Sequence, residues 1–138
     1  MAEVVPDNLR LGVASIDREH ERLLGTLDRL HAAVVKRESV AVVQPLFEDV
    51  RRVAFEHFEW EEQEVGRYGY PDLPRHQEEH RRLAAMLSEL ADRFGREPAA
   101  AFDTALFLRE WIEHHILDFD APAVRHILAA QFRGAASE

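Results

Sequence analysis

The sequence contains no cysteine among its 138 residues. Disulfide bonds, iron–sulfur clusters and thiolate zinc sites are therefore excluded, so that any bound metal ion must be held by nitrogen and oxygen atoms. No apolar run approaches the length that a membrane-spanning helix requires, and residues 1–10 lack the basic and apolar segments of a secretory signal. We therefore expect a cytoplasmic protein.

Basic residues are outnumbered, with 17 lysines and arginines against 26 aspartates and glutamates and a formal net charge of −9. Such a charge disfavours binding to phosphate backbones or anionic lipids, so we expect neither a nucleic acid nor a membrane as partner. A chain of 138 residues is long enough for one hydrophobic core and too short for two. We therefore expect a single domain over residues 1–138.

Apolar residues recur at helical spacing along the whole chain and never alternate for long in the pattern of a strand. The pattern predicts an all-α protein, an up-down-up-down four-helix bundle with short connections over about residues 15–119. An N-terminal arm, residues 1–14, would precede the bundle, and a short C-terminal helix, about residues 120–133, would follow it. The residues expected to start the four helices are Ser15 or Asp17, Gln44 and Pro45, Asp72 and Pro74, and Pro98.

Polar residues interrupt the apolar stripes at positions that should face the bundle interior. Burying an imidazole or a carboxylate without a partner costs about 1–3 kcal/mol, so several such residues in one core need a shared explanation. Two residues, His57 and Glu61, are four positions apart, and so are His76 and His80. This spacing places both side chains of each pair on one helix face. A metal centre would account for the set. The interrupting residues are His20, His57, Glu61, His76, His80 and His115.

Each part of this pattern also has an ordinary explanation. A lone pair such as His76 and His80 can lie on a solvated helix face, and His57 with Glu61 can form an exposed ion pair that contributes about 0.2–0.5 kcal/mol. Chance is the weaker explanation of the whole set, since it must place five histidines and a glutamate on the inner faces of four helices.

The end of the fourth helix is less regular. His115 and Asp120 are five residues apart, so the carboxylate would reach the imidazole only if the helix frays before Pro122. We expect the three other histidines to be ordinary. They are His31, His114 and His126.

Taken together, the motifs resemble those of the single-domain bacterial hemerythrins over about residues 8–120. The resemblance implies two iron ions, Fe²⁺ or Fe³⁺, one held by three histidines and the other by two. Glu61 and Asp120 would bridge the ions together with an oxo or hydroxo group. The implied terminal ligands are His76, His80 and His115 for one ion and His20 and His57 for the other. The matching segments are residues 16–20, residues 57–62, Tyr70-Pro71 with His76 and His80, and residues 111–116 with Asp120.

The function that the resemblance implies is reversible binding of dioxygen, for storage, delivery or sensing, rather than catalysis. A sensor would need a protein partner that the sequence does not identify. The alternatives are a di-iron enzyme that reduces peroxide or nitric oxide, and an iron store. The residues that correspond to the lining of the oxygen pocket are Leu23, Phe58, Trp111, Ile112 and Ile116.

Ligand chemistry separates these alternatives in part. Oxygen-activating bundles of the ferritin-like kind use carboxylate-rich sites with paired Glu-x-x-His motifs, and this sequence contains no Glu-x-x-His. Three positions also depart from the hemerythrin pattern. Val5 stands where relatives carry tryptophan, Glu19 where they carry glutamine, and Glu64 with Val65 where they carry an apolar pair. None of these is a ligand position, so we expect the departures to affect oxygen affinity rather than metal binding.

Overall fold

The computed structural model describes residues 7–137, so Val5 lies outside the described residues. Within this range the chain forms α-helices and no strand, which confirms the predicted all-α class. A 3-10 turn, Asp7–Leu9, precedes the first α-helix, and a π-helical turn, Ile116–Asp120, joins the fifth to the sixth. The α-helices are α1 (Ala14–Val35), α2 (Val40–Arg67), α3 (Leu73–Arg96), α4 (Pro98–Leu106), α5 (Leu108–His115) and α6 (Ala121–Ser137).

The helices close into the predicted four-helix bundle. Helix α1 packs on α2, α2 on α3, and α3 on α4, while α4 and α5 return to α1. The fourth member of the bundle is therefore broken at Phe107 into α4 and α5. The C-terminal helix α6 has 17 residues, which makes it longer than the short helix that the sequence predicts. Within residues 7–137, no helix has the length and apolar character needed to cross a membrane.

Two helix starts differ from the prediction. Helix α2 begins at Val40, so Pro45 lies inside it and leaves the carbonyl of Ala41 without its helical donor. Both residues are exposed, so solvent can take the place of that donor. The N-cap of α1 is Val13, without a side-chain hydrogen bond, rather than a serine or aspartate.

Asp17 does not form the predicted N-cap of α1. Its carboxylate accepts hydrogen bonds from the backbone N–H groups of Leu11, at 2.9 Å, and of Gly12, at 3.2 Å. The backbone of Gly12 has a φ of 101°, which glycine adopts readily and other residues rarely do. The carboxylate therefore ties the end of the N-terminal arm to the first helix.

The buried apolar residues form two clusters on either side of a polar layer. The larger cluster, here called the apolar core, includes Leu27, Leu30, Phe47, Leu87 and Phe94. The smaller cluster joins the first two helices to α6 and consists of Ile16, Val65, Ala123, Val124 and Ile127. Along α1, His20 lies between the residues of the two clusters, and along α2 so does Glu61, whereas His57 lies at the end of the larger cluster. The bundle therefore carries its polar interior in a layer with apolar packing above and below it.

Candidate metal centre

The polar layer brings together all seven residues that the sequence and the resemblance single out as ligands. We call them the ligand layer, and each has 4% or less of its surface exposed. They form two groups that share Glu61 and Asp120, and within each group one candidate ligand atom from every residue lies within 4.8 Å of the others. The first group adds His76, His80 and His115 to the shared carboxylates, and the second adds His20 and His57.

Local helix geometry positions most of the ligand layer. His57 and Glu61 share one face of α2, and His76 and His80 share one face of α3, because four residues make about one helical turn. Both faces are turned toward the bundle interior, since all four residues are buried. His115 and Asp120 are brought together differently. Residues 116–120 form a π-helical turn, whose i→i+5 repeat aligns residues five apart, and His115 Nε2 lies 3.1 Å from Asp120 Oδ1. The expected fraying before Pro122 is wrong, because the chain stays helical through this segment.

The Glu61 carboxylate directs one oxygen toward each histidine group. Its Oε1 lies 2.8 Å from Nε2 of His76 and 3.3 Å from Nε2 of His80. Its Oε2 lies 3.2 Å from Nε2 of His20 and 3.1 Å from Nε2 of His57. Glu61 therefore stands between the two groups with an oxygen for each.

The Asp120 carboxylate repeats this arrangement. Its Oδ1 lies 2.9 Å from Nε2 of His76 and 3.1 Å from Nε2 of His115, while its Oδ2 lies 2.9 Å from Nε2 of His20. Each of the five imidazoles thus turns its Nε2 toward one or both carboxylates. This arrangement suits two neighbouring cations that share both carboxylates.

Hydrogen bonding leaves much of this layer unsatisfied among the described residues. The Nε2 atoms of His57, His80 and His115 and both oxygens of Asp120 are buried without a hydrogen-bond partner, although opposite groups lie close by. Such atoms are costly to bury, and native proteins keep few of them. Imidazole nitrogen and carboxylate oxygen are also ligands that first-row transition metals take. The residues present therefore fit metal ions better than they fit one another.

Protons compete for the same atoms in the metal-free protein. Burial lowers the pKa of His20 and of His76, but the close carboxylates of Asp120 and Glu61 outweigh burial and raise both pKa values to about 10. Burial also lowers the pKa of His57, and the charge of Glu61 with the neighbouring Glu19 raises it to about 9. Metal ions must displace these protons, so metal binding releases protons.

The two shared carboxylates remain ionised for the complementary reason. Burial raises the pKa of Glu61, but the charge of His57 and hydrogen bonds from the histidines hold it well below its usual value. Burial and the neighbouring Glu61 raise the pKa of Asp120, and His115 and His20 more than reverse this effect. The carboxylates are therefore available as anionic ligands.

The outer nitrogens of two histidines meet carboxylates that the sequence analysis did not assign to the site. His80 Nδ1 donates a hydrogen bond of 2.8 Å to Glu62 Oε2, and His57 Nδ1 lies 3.8 Å from Glu19 Oε1. Each glutamate is next in sequence to a member of the ligand layer. That adjacency was the available signal, but it does not reveal which histidine on another helix each glutamate meets.

Apolar side chains surround the ligand layer. Phe58 stacks on His80 with a ring separation of 4.3 Å and an angle of 15°, and Leu23, Ile112 and Ile116 are each 1% exposed within the apolar core. The fifth residue expected in the oxygen pocket, Trp111, is only partly buried against this cluster. Four of the five residues expected in the oxygen pocket are thus buried, and the fifth, Trp111, is partly exposed.

The remaining histidines lie away from the layer. His31 and His114 are exposed, as expected. His126 is half-buried on α6, where its Nε2 donates a hydrogen bond of 2.7 Å to the backbone carbonyl of Tyr68. It therefore fastens the C-terminal helix to the end of α2, a contact that its position in the sequence did not indicate.

A helical bundle with two buried histidine groups joined by shared carboxylates defines a di-metal-binding protein of the four-helix-bundle class. The family model described as the hemerythrin HHE cation binding domain matches residues 11–121. The chain belongs to the hemerythrin family, whose cofactor is a non-haem di-iron centre.

Curated relatives agree with this assignment. A bacteriohemerythrin of Pseudomonas aeruginosa (strain UCBPP-PA14) is 29% identical over 133 residues, which cover 94% of this chain and 86% of the relative. Bacteriohemerythrins of Stenotrophomonas maltophilia (strain R551-3) and Methylococcus capsulatus (strain ATCC 33009 / NCIMB 11132 / Bath) are 27% and 28% identical, and the matches cover 80% and 78% of this chain and 71% and 82% of those relatives. The similarity therefore extends over most of the chain.

Proposed function

We propose that this protein binds dioxygen reversibly at its di-iron centre and serves in oxygen storage, delivery or sensing. The observation that carries the proposal is the division of the ligand layer, in which five imidazoles turn Nε2 toward two carboxylates and both carboxylates present one oxygen to each histidine group. The bound ions would supply the redox change and the open coordination position that dioxygen binding requires.

The division supports a specific set of ligand roles. The group with three histidines would hold one ion, and the group with two histidines would hold the other. Glu61 and Asp120 would bridge the ions, since each has an oxygen on both sides. The ion with fewer protein ligands keeps more room for an exogenous molecule, so it is the expected position for dioxygen.

The donor set favours a carrier over an enzyme that cleaves dioxygen. Five neutral imidazoles and two carboxylates supply less negative charge than the four carboxylates of ferritin-like sites. Highly oxidised iron is therefore less well stabilised, and return to the starting state is favoured.

The apolar side chains near the ligand layer also favour reversible binding, because they limit the access of water. Leu23, Ile112 and Ile116 are each 1% exposed, so they present apolar surface without a donor or an acceptor near the ligand layer. A water-poor site slows proton-dependent side reactions, which is a requirement for reversible binding. Phe58 is buried in the same cluster, and Trp111 is partly buried against it.

A spectroscopic titration tests the proposal. Iron analysis of the purified protein should give close to two ions per chain, and the reduced, colourless protein should gain a visible absorption band in air and lose it when the gas is removed. A band that forms without reversing, together with turnover of peroxide or nitric oxide, would indicate an enzyme instead. Iron well above two ions per chain would indicate a store. The cytoplasmic location expected from the sequence belongs to this proposal and is checked by cell fractionation.

A further inference from the structure

The five histidines of the ligand layer differ at the nitrogen that faces away from the carboxylates. Among the described residues, Nδ1 of His20, of His57, of His76 and of His115 has no hydrogen-bond partner. His80 Nδ1, in contrast, donates to Glu62 at 2.8 Å, and a carboxylate oxygen of Glu19 lies 3.8 Å from Nδ1 of His57. One of the five imidazoles is thus hydrogen-bonded to a carboxylate on its outer side, and a second has a carboxylate within ion-pair distance there.

Each of the two histidine groups contains one histidine whose Nδ1 lies near a glutamate. His80 belongs to the group of three histidines and His57 to the group of two, so each proposed ion has one carboxylate-backed imidazole. Each glutamate also reaches across a helix boundary, since Glu62 on α2 meets a histidine on α3 and Glu19 on α1 meets a histidine on α2. Both are near the surface, with side chains 25% and 23% exposed.

The contact at His80 has a defined chemical consequence. A hydrogen bond from Nδ1–H to a carboxylate fixes the tautomer in which Nε2 carries the free lone pair, and it makes the imidazole a stronger donor to a metal ion. Phe58, stacked on the same ring at 4.3 Å, limits ring rotation independently of Glu62. The charge of the glutamate can therefore be removed while part of the orientation is kept.

We propose that Glu62, and more weakly Glu19, are positioning residues that hold one imidazole of each iron site and stabilise the oxidised ion by their negative charge. The inference rests on the proposed di-iron function and adds to it the residues that set the affinity and the reduction potential of the two ions. Glu62 has the larger effect because its contact is a hydrogen bond, whereas Glu19 is 3.8 Å away.

The test compares three substitutions on α2, and Glu19→Gln on α1, in the iron-loaded protein. Glu62→Ala removes both the hydrogen bond and the charge, whereas Glu62→Gln keeps an acceptor oxygen and removes only the charge. Glu59→Gln is the matched control, since Glu59 is an exposed glutamate of the same helix and the same change of charge is made there. The probes are ferrous iron itself, competed anaerobically with a chelator, and the midpoint potential of the centre.

We expect Glu62→Ala to weaken iron binding about 10–100-fold, the usual effect of losing such a partner, and to shift the potential to more positive values. Glu62→Gln should recover most of the affinity while keeping the positive shift. Glu59→Gln should change neither quantity, and Glu19→Gln should give a smaller shift than Glu62→Gln.

If the Glu62 variants had the same iron affinity and midpoint potential as Glu59→Gln, the inference would be overturned. Neither probe measures dioxygen binding, so the two proposals fail separately. A wild-type protein that holds two ions without reversible oxygen binding would contradict the proposed function and leave the role of Glu62 intact.

Discussion

The ligand layer and the apolar core occupy the same four-helix bundle but are stabilised by different interactions. In the apolar core, side chains such as Leu30, Phe47 and Phe94 are at most 2% exposed and need nothing beyond one another. In the ligand layer, residues that are similarly buried leave nitrogen and oxygen atoms without hydrogen-bond partners among residues 7–137. The comparison teaches that burial alone accounts for one region, while the other depends on what binds there.

The largest expected effect is at a residue shared by both histidine groups. Glu61→Ala removes one oxygen from each proposed ion, so iron content should fall from about two ions per chain to nearly none. The free energy of unfolding of the metal-free protein should also drop by about 3–5 kcal/mol, because the buried histidines lose their counter-charge. Iron analysis and chemical denaturation measure both. Glu59→Ala on the exposed face of α2 is the control, and a Glu61→Ala protein that retained two ions would contradict the bridging role.

A cavity in the apolar core should separate stability from metal binding. Phe94 is fully buried, with its ring centre 5.0 Å from that of Phe47 and 5.3 Å from that of Phe102. Phe94→Ala should cost about 3–5 kcal/mol of folding free energy and leave two ions per folded chain. Denaturation curves and iron analysis of the folded fraction check this expectation. Loss of iron from folded protein would show that the two regions are not independent.

The pH dependence should have opposite signs with and without metal. In the metal-free protein the pKa of His20 and of His76 is raised to about 10 and that of His57 to about 9, against an ordinary value of 6.5. Their protonation stabilises the fold fully below pH 6.5, and this contribution is lost as the pH rises through 9 to 10. The metal-free protein should therefore become less stable over that range.

The iron-loaded protein is the control for this prediction. With the proposed ligands its imidazoles would be held by metal rather than by protons, so it should lose stability toward acid, where protons displace the ions. Thermal denaturation of both forms from acidic to alkaline pH makes the comparison. A metal-free protein that gained stability between pH 6.5 and 10 would contradict the raised pKa values.

The smallest expected effects concern histidines outside the ligand layer. His126→Ala removes the hydrogen bond of 2.7 Å to the Tyr68 carbonyl and should cost about 1 kcal/mol without changing the iron content. The exposed His31 offers the control, since His31→Ala should stay within about 0.5 kcal/mol of the wild type. Equal stability of the two variants would mean that the contact of α6 with Tyr68 contributes nothing measurable.

Much of the fold and of the candidate site could be predicted from local pattern. The apolar stripe of α1, from Ile16 to Val34, is buried as the periodicity predicts, and the same periodicity places His57 and Glu61 on the inner face of α2. The start of α2 could not be predicted in this way. Pro45 is a typical first-turn residue, but one further turn of helix forms before it, and this turn buries Val43 in the apolar core.

The sequence by itself determined the four members of the bundle, their inner faces and the five histidines and one glutamate that gather in the ligand layer, because helical period is a local property of the chain. Tertiary structure decided how those residues meet. The π-helical turn that aligns His115 with Asp120, the division of each carboxylate between two histidine groups, and the contact of Glu62 with His80 all depend on how neighbouring segments are rotated and how closely they approach. The spacing of residues along one helix does not predict the distance to a neighbouring helix. Contacts between helices can therefore be seen only in the assembled bundle.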